Sequence, residues 1–403
     1  MISWPSLIFI SSCSWFESPP KPPNLLLITV DTTRADHLSS NGYIRPTTPA
    51  IDLLASESIV FDRCISPIAT TLPAHASLFT ATFPSEHGVV SNIGQGGDYL
   101  VPSEKLTSFA KYLHNNGYQT LGVVSAAPLR AGTGIEAGFS AWDEPKKGDR
   151  ARNAEDTTKA LMTQMAKMDP KKPYFAWVHY YDPHSPYDPP DQFDRFKGSE
   201  EFVNWHRERR FSEESPNRKG KMMPVPHVIH AYDGELRYMD QQIGRLFVAM
   251  HRVHQLTNTI VMLVGDHGEG LGQHDHLGHG GIFNEQLHVP CMIRHPEYQP
   301  THIPFAVSLT DMLPSLLGLV ELPNEAEFLT QASGVDVLVA GHRPRPILSM
   351  KRWDQELGHD IPPLHSLTTA TAKLVHNDGG ADELYDLAAD PWELTNIAAE
   401  KPK

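Results

Sequence analysis

Thr259-Ile260-Val261-Met262-Leu263-Val264-Gly265-Asp266-His267-Gly268-Glu269-Gly270-Leu271-Gly272-Gln273-His274 opens with six residues, mostly aliphatic, and closes as a run of glycines, acids and histidines. The first part has the length and composition of a strand buried on both faces, as the strands of parallel sheets are. Its end is Asp266. Far upstream, Leu25 to Val30 is a second aliphatic run of strand length, and it too stops at an acid, Asp31. Ligands of open α/β sheets collect beyond the carboxyl ends of the strands, so two strands ending in acids indicate both a fold class and a place to look for chemistry.

Between and beyond these runs, strand and helix signals alternate, the pattern of a mostly parallel sheet covered on both faces. Ser103 to Asn116 is predicted as a helix that Ser103 caps and Gly117 closes, before strands at Thr120 to Val124 and Tyr174 to Tyr181. A long helix is predicted from about His227 to Val253, because Tyr232, Leu236, Met239, Ile243, Leu246 and Met250 recur on one helical face. From Arg195 to Met223 mixed charge replaces the aliphatics, and this stretch, about 195–223, reads as an insertion over or beside the site. A helix is expected from Val307 to Leu319. Short strands follow near Ile347 to Met350, Thr368 to Val375 and Glu383 to Asp386. The expected organisation is a leader over 1–23, an α/β catalytic domain over 24–320 and a small C-terminal α+β subdomain over 321–403.

The formal net charge of -14 disfavours a nucleic-acid backbone as partner, because the field would repel phosphates. Cys13, Cys64 and Cys291 form no CxxC pair, which excludes a zinc ribbon and a dense disulfide framework. Cys64 and Cys291 read as buried apolar fillers. Cys13 follows the apolar stretch Trp4 to Ile10, and Ile10-Ser11-Ser12-Cys13 resembles the lipobox of bacterial lipoproteins. The proline-rich spacer Ser18 to Pro23 comes after it. The start lacks the basic residues of a signal peptide. The expectation is export to the cell envelope with a lipid anchor at Cys13, the alternative a cytosolic tail.

Four segments carry chemistry. Asp31-Thr32-Thr33-Arg34 places a carboxylate where a hard cation can bind, and Arg34 where it can pair with an acid or with a bound anion. Thr71-Leu72-Pro73-Ala74-His75 puts a hydroxyl where a helix begins, with proline in its first turn. Such a hydroxyl either caps the helix or, facing the positive end of its dipole, serves as an oxygen nucleophile toward an anionic centre. Asp266 and His267 can ligate one metal together, with glycines that let backbone approach. His179 to Tyr187, a histidine-rich loop stiffened by proline, suggests substrate contact.

Taken in this order the segments resemble the sulfatase family of the alkaline-phosphatase superfamily. The resemblance runs from Asn24 to about Leu319 and returns in Glu383-Leu384-Tyr385-Asp386-Leu387-Ala388-Ala389-Asp390-Pro391. It implies an alkaline-phosphatase-like fold and a hydrolase of sulfate or phosphate esters. Two departures matter. Where that family has Cys or Ser in C/S-x-P-x-R, this chain has Thr71, with His75 at the arginine position. Threonine carries a methyl on Cβ and cannot be oxidised to formylglycine. The usual acid pair after the first strand is Asp31 and Thr32 here.

Other branches of the superfamily use an unmodified threonine, among them envelope phosphoethanolamine and glycerol-phosphate transferases. Carried over from them, Asp31, Thr71, Asp266 and His267 match metal ligands, and Thr71 with His75 forms the catalytic pair. Asn92, His184 and His279 match positions that touch the transferred anion, and Arg34, from its own chemistry, is a further candidate contact of it. The implied cofactor is one divalent cation, Mn²⁺, Zn²⁺ or Ca²⁺, with a second metal left open. Small-molecule, glycan or lipid esters are the implied substrates. An envelope phosphotransferase and a catalytically silent anion-binding protein are the two other readings of the same residues.

Overall fold

The computed structural model describes residues 22–93, 102–216, 220–320, 322, 325–351 and 364–400. The lipobox-like segment and Cys13 lie outside the described residues. Nine strands form the central sheet: β1 (Asn24–Val30), β2 (Ile59–Ile65), β3 (Gln119–Val123), β4 (Ala141–Asp143), β5 (Tyr174–Tyr180), β6 (Thr259–Gly265), β7 (His288–Val289), β8 (Cys291–Arg294) and β9 (Thr301–Ser308). β4, β3, β5, β1 and β6 lie side by side and parallel. β8 then pairs antiparallel with both β6 and β2, and β9 runs parallel to β2. This is the mostly parallel, helix-flanked sheet expected from the sequence.

The register decides where the site forms. Val30 of β1 is level with Tyr180 of β5 on one side and with Gly265 of β6 on the other. Asp31, Tyr181 and Asp266 therefore leave the sheet at one edge. Alternation along β1 sends Leu25 and Leu27 to one core and Leu26, Ile28 and Val30 to the other. The first core is closed by α2 (Thr71–Thr80), α3 (Phe109–Asn115) and α7 (Met312–Gly318). The second is closed by α1 (Pro49–Ser56), α4 (Ala154–Met165) and α6 (Val225–Arg252), whose six predicted apolar positions are all buried.

Three sequence expectations are corrected. The helix expected from Ser103 begins at Phe109, with Ser108 as its cap accepting from Lys111 N at 3.1 Å. The N–H groups of Ser103 and Thr107 are engaged elsewhere, by His87 O and the Gln331 side chain. Val307, expected at the start of a helix, lies in β9 opposite Cys64, and the helix starts five residues later. Both segments are apolar and buried, and periodicity alone does not separate them. The strand expected over Thr368 to Val375 is two strands of a hairpin, folded back where Thr369 N meets Ala372 O at 2.8 Å.

The segment over 195–223 carries α5 (Glu200–Glu208), anchored by Arg45 over the Phe202 ring. It reaches the glycine-rich loop through Ser212 Oγ, which donates to Asp275 at 2.6 Å. Helix α8 (Glu325–Leu329) and Val337 pack into the first core of the main sheet. The C-terminal subdomain is an antiparallel sheet of β10 (Ile347–Lys351), β11 (Leu364–Thr368), β12 (Ala372–Asn377) and β13 (Glu383–Asp386). Ile347, Val375, Tyr385 and Leu387 pack against Ile65, Ile282 and Leu287 of the catalytic domain. Buried Lys373 pairs with Glu393 at 2.8 Å, and Glu393 Oε2 accepts from Asn284 N at 2.7 Å. No helix among the described residues is long and apolar enough to cross a membrane.

Candidate active site

Asp31 and Asp266 are both fully buried just beyond the ends of β1 and β6. Backbone geometry brings them together. Thr32, a β-branched residue, takes a left-handed conformation (φ 48°), a strained choice that turns its N–H onto Asp266 Oδ1 at 3.2 Å. Oδ1 also accepts from His267 N at 2.7 Å. Asp266 Oδ2 and Asp31 Oδ1 have no hydrogen-bond partner. These two oxygens belong with His267 Nε2, for ligand atoms of Asp31, Asp266 and His267 all lie within 4.8 Å of one another.

Two carboxylates so placed resist ionisation. Burial raises Asp31 above the usual range, against the pull of His184 and His267. Burial and then the charge of Asp31 raise Asp266 still further. His267 Nδ1 lies 2.9 Å from Gly268 O, which fixes the tautomer with its lone pair on Nε2, the form a metal takes. Two unsatisfied acid oxygens facing an imidazole lone pair fit a divalent cation, which would neutralise what burial penalises.

Thr71 stands beside this group. It is the first residue of α2; the cap position is held by Thr70, and neither residue's hydroxyl caps the helix. Thr71 Oγ1 is 3.4 Å from His267 Nε2. Of the two roles the sequence left open for Thr71, capping is not the one its contacts show. Asn92 does that work, its Oδ1 accepting from Leu72 N at 2.9 Å, which leaves the amide nitrogen as a donor next to Thr71.

His75 lies behind the hydroxyl. Its Nδ1 donates to Thr71 O at 2.8 Å and its Nε2 accepts from Thr29 Oγ1 at 3.0 Å, while Trp177 Nε1 donates to that same Thr29 oxygen at 2.9 Å. Burial holds His75 neutral. With both ring nitrogens engaged, it positions Thr71.

His184 and His279 face the group from the loops after β5 and β6. Their Nε2 atoms are 3.2 Å apart, while His184 Nδ1 meets Ser185 O at 2.6 Å and His279 Nδ1 meets Ala69 O at 3.1 Å. Satisfying all three contacts requires one ring to carry protons on both nitrogens, a donor suited to an anionic oxygen. Burial lowers His184 to about 4 and holds it neutral.

Arg34 is not brought to this group. Its guanidinium is held by Asp36 at 2.7 and 2.8 Å, Gln273 Oε1 at 2.6 Å and Glu269 O at 3.2 Å. Of its two candidate partners the structure shows the acid. His179, expected only as part of a substrate-contact segment, is at the centre instead: its Nε2 is 3.2 Å from Asp31 Oδ2, and it forms a second candidate metal group with His75 and Asp266. The signal was present, since His179 is level with Thr29 and a strand's alternation puts Thr29 on the face of Asp31.

The sulfatase family profile matches residues 23–322. An arylsulfatase of Clostridium perfringens is 24% identical, over 93% of this chain and 90% of its own. An N-acetylglucosamine-6-O-sulfatase of Bacteroides thetaiotaomicron is 23% identical, over 94% and 83%. Among solved structures, a putative sulfatase of Bacteroides fragilis superposes with a TM-score of 0.78 at 21% identity, covering 94% of this chain and 92% of that one. The phosphonate monoester hydrolase of Agrobacterium radiobacter gives 0.72 at 21%, with coverage of 94% and 92%. The profile runs from β1 through α7 and so takes in every residue of the acid, histidine and threonine group. This chain belongs to the sulfatase family of the alkaline-phosphatase superfamily, and is an ester hydrolase.

Proposed function

We propose that the chain is a metal-dependent hydrolase of sulfate or phosphate esters that uses Thr71 as its nucleophile. The observation that carries this reading is the placement of a buried, non-capping threonine hydroxyl 3.4 Å from His267 Nε2, against two carboxylates with unsatisfied oxygens. Asp31, Asp266 and His267 would hold the cation, and Thr71 is close enough to join them. The imidazole favours Mn²⁺ or Zn²⁺ over Ca²⁺. Bound there, the cation supplies positive charge that eases ionisation of the hydroxyl and offsets the charge of the ester.

The chain's own residues do the rest. The N-terminus of α2 directs its backbone dipole at the incoming anion. The Asn92 amide and His279 receive the non-bridging oxygens, where charge accumulates in the transition state, and His184 holds His279 in place. Thr71 Oγ forms the bond to sulfur or phosphorus as the bond to the leaving alcohol breaks, and the alcohol carries away a proton. Water then cleaves the ester on Thr71 and restores the hydroxyl. No step needs formylglycine, which threonine cannot provide.

Substrate class follows from the nucleophile and from the relatives. One solved neighbour is a phosphonate monoester hydrolase, and another is described in complex with D-glucosamine-2-N,6-O-disulfate. Phosphomonoesters, phosphodiesters, phosphonate esters and sulfate esters of small molecules or glycans are therefore the proposed substrates. We also propose export with a lipid on Cys13; labelled palmitate should enter the wild type and not Cys13→Ser.

The test is turnover of p-nitrophenyl phosphate, bis-p-nitrophenyl phosphate and p-nitrophenyl sulfate with Mn²⁺, Zn²⁺ or Ca²⁺ added. Thr71→Ala should lose almost all activity and Thr71→Ser keep part of it. The fold should tolerate alanine, which helix propensity favours over threonine by roughly 0.7 kcal/mol. Thr71→Ala turning over at a rate near wild type would overturn the covalent mechanism. Turnover that requires an acceptor alcohol would indicate a transferase, and no turnover at all a binding protein.

A further inference from the structure

One cation at the mouth of the site has no part in the reaction just described. The segment Lys146-Lys147-Gly148-Asp149-Arg150-Ala151-Arg152 sets four basic residues against one acid, in a chain of net charge -14. It is fixed to the site by the strand end next to it. Ser125 Oγ donates to His179 O at 2.6 Å, Arg152 N donates to Ser125 O at 2.8 Å, and Arg150 O accepts from Ala127 N at 3.0 Å. Ala126 and Ala151 form an antiparallel bridge. His179 is the residue that holds Asp31, so the segment is tied directly to the acid group.

Two arginines here are spent on structure. Arg130 holds the carbonyls of Lys146 and Asp149, and Arg152 holds Asp143 and Val124 O. Arg150 is exposed, and its guanidinium lies close enough to Tyr181 to ease ionisation of the phenol that burial opposes. The Tyr181 ring stacks on His184 with centroids 4.3 Å apart and planes within 20°. The charge of Arg150 is felt at His184, and that of Asp31 at Tyr181. Tyr181 thus separates the acid and histidine group on one side from a solvent-facing guanidinium on the other.

We propose that Arg150 binds a second anionic group of the substrate, a carboxylate, sulfate or phosphate one ring's breadth from the ester being cleaved. The inference rests on the ester-hydrolase reading of the same site and adds to it a preference for substrates with two anions. The transferred group occupies Thr71, Asn92 and His279. Arg150 lies beyond Tyr181 and meets a different part of the molecule. Its planar fork suits an oxyanion in two-point contact.

The test is a binding ratio. Calorimetry on the full-length protein compares benzenesulfonate with benzene-1,3-disulfonate, neither of which can be hydrolysed as an ester. Wild type should bind the disulfonate at least roughly fivefold more tightly, as one exposed charge-assisted contact allows. Arg150→Ala should bring the ratio close to one, and Arg150→Lys should leave it in between. An Arg150→Ala protein with the wild-type ratio, or a wild type that shows no preference or binds neither probe, overturns the proposal. Because nothing is turned over, a wild type inert toward every ester would undo the hydrolase reading and leave this ratio intact.

Discussion

Asp266→Asn separates the cost of the acid pair from its use. Asparagine keeps an oxygen at Oδ1 to accept from the N–H groups of Thr32 and His267, and places an amide where Oδ2 has no partner. What it removes is one buried charge. Two carboxylate oxygens no more than 4.8 Å apart repel, if both are charged, by at least about 3 kcal/mol at an effective dielectric constant of 20. Proton uptake by one acid relieves part of that, so a gain of about 1–2 kcal/mol is expected for metal-free protein at pH 8.

The sign follows from the shifts. Both acids are raised in the folded state, so the fold binds their protons more tightly than the unfolded chain does. Wild type therefore loses stability as pH rises above the ordinary carboxylate value of 3.8, and the advantage of Asp266→Asn should shrink toward pH 5. With metal the order reverses. A cation at a hundred times its dissociation constant stabilises the wild type by about 2.7 kcal/mol, and the variant by much less. Urea unfolding at pH 5 and pH 8, in chelator and in Mn²⁺ or Zn²⁺, measures all of this. A chelator-treated variant weaker than wild type at pH 8, or an equal metal increment in both proteins, would refute the reasoning.

Two further outcomes are expected. Lys373→Met leaves Glu393 buried without its cation and should cost about 3–5 kcal/mol in urea unfolding, most of it recovered when Glu393→Gln is added. His274 is raised to about 9, because its contacts with Glu285 and Glu393 outweigh the opposing effect of burial. The stability that wild type holds over His274→Asn should be complete below pH 6.5 and fall away as pH rises through about 9, read from denaturant midpoints across that range.

The parts of this molecule legible in its sequence are those written in short-range pattern. β1 and β6 show as unbroken aliphatic runs, and α6 as a periodic stripe. Asp31 and Asp266 stand out because each follows such a run directly, and Thr71 because Pro73 marks a helix start. What was not legible depends on pairing between distant segments. His179 looks like any residue of a buried strand until β5 is set level with β1. Arg34 could meet an acid or an anion; Asp36 stands two residues on, but only the fold adds Glu269 and Gln273. Val307 was expected in a helix because the apolar end of β9 runs close up to the helix after it, and β2 draws it into the sheet. Arg150 is brought beside the end of β5 by a loop whose course local sequence does not set.

The level strand ends have a consequence for how the molecule is made. Thr32 and Asp266 are 234 positions apart, and the strands before them meet side by side in the sheet. A ribosome has therefore finished most of the sheet's other strands before the second carboxylate emerges. Pairings of such range form late and slowly, since loop closure must come before the contacts that reward it. During synthesis Asp31 waits in a half-built sheet whose centre is open on the side that β6 will fill. A cation can lock the finished arrangement but cannot nucleate it, so the yield of active protein should depend on the time β6 takes to insert more than on the metal supply during translation.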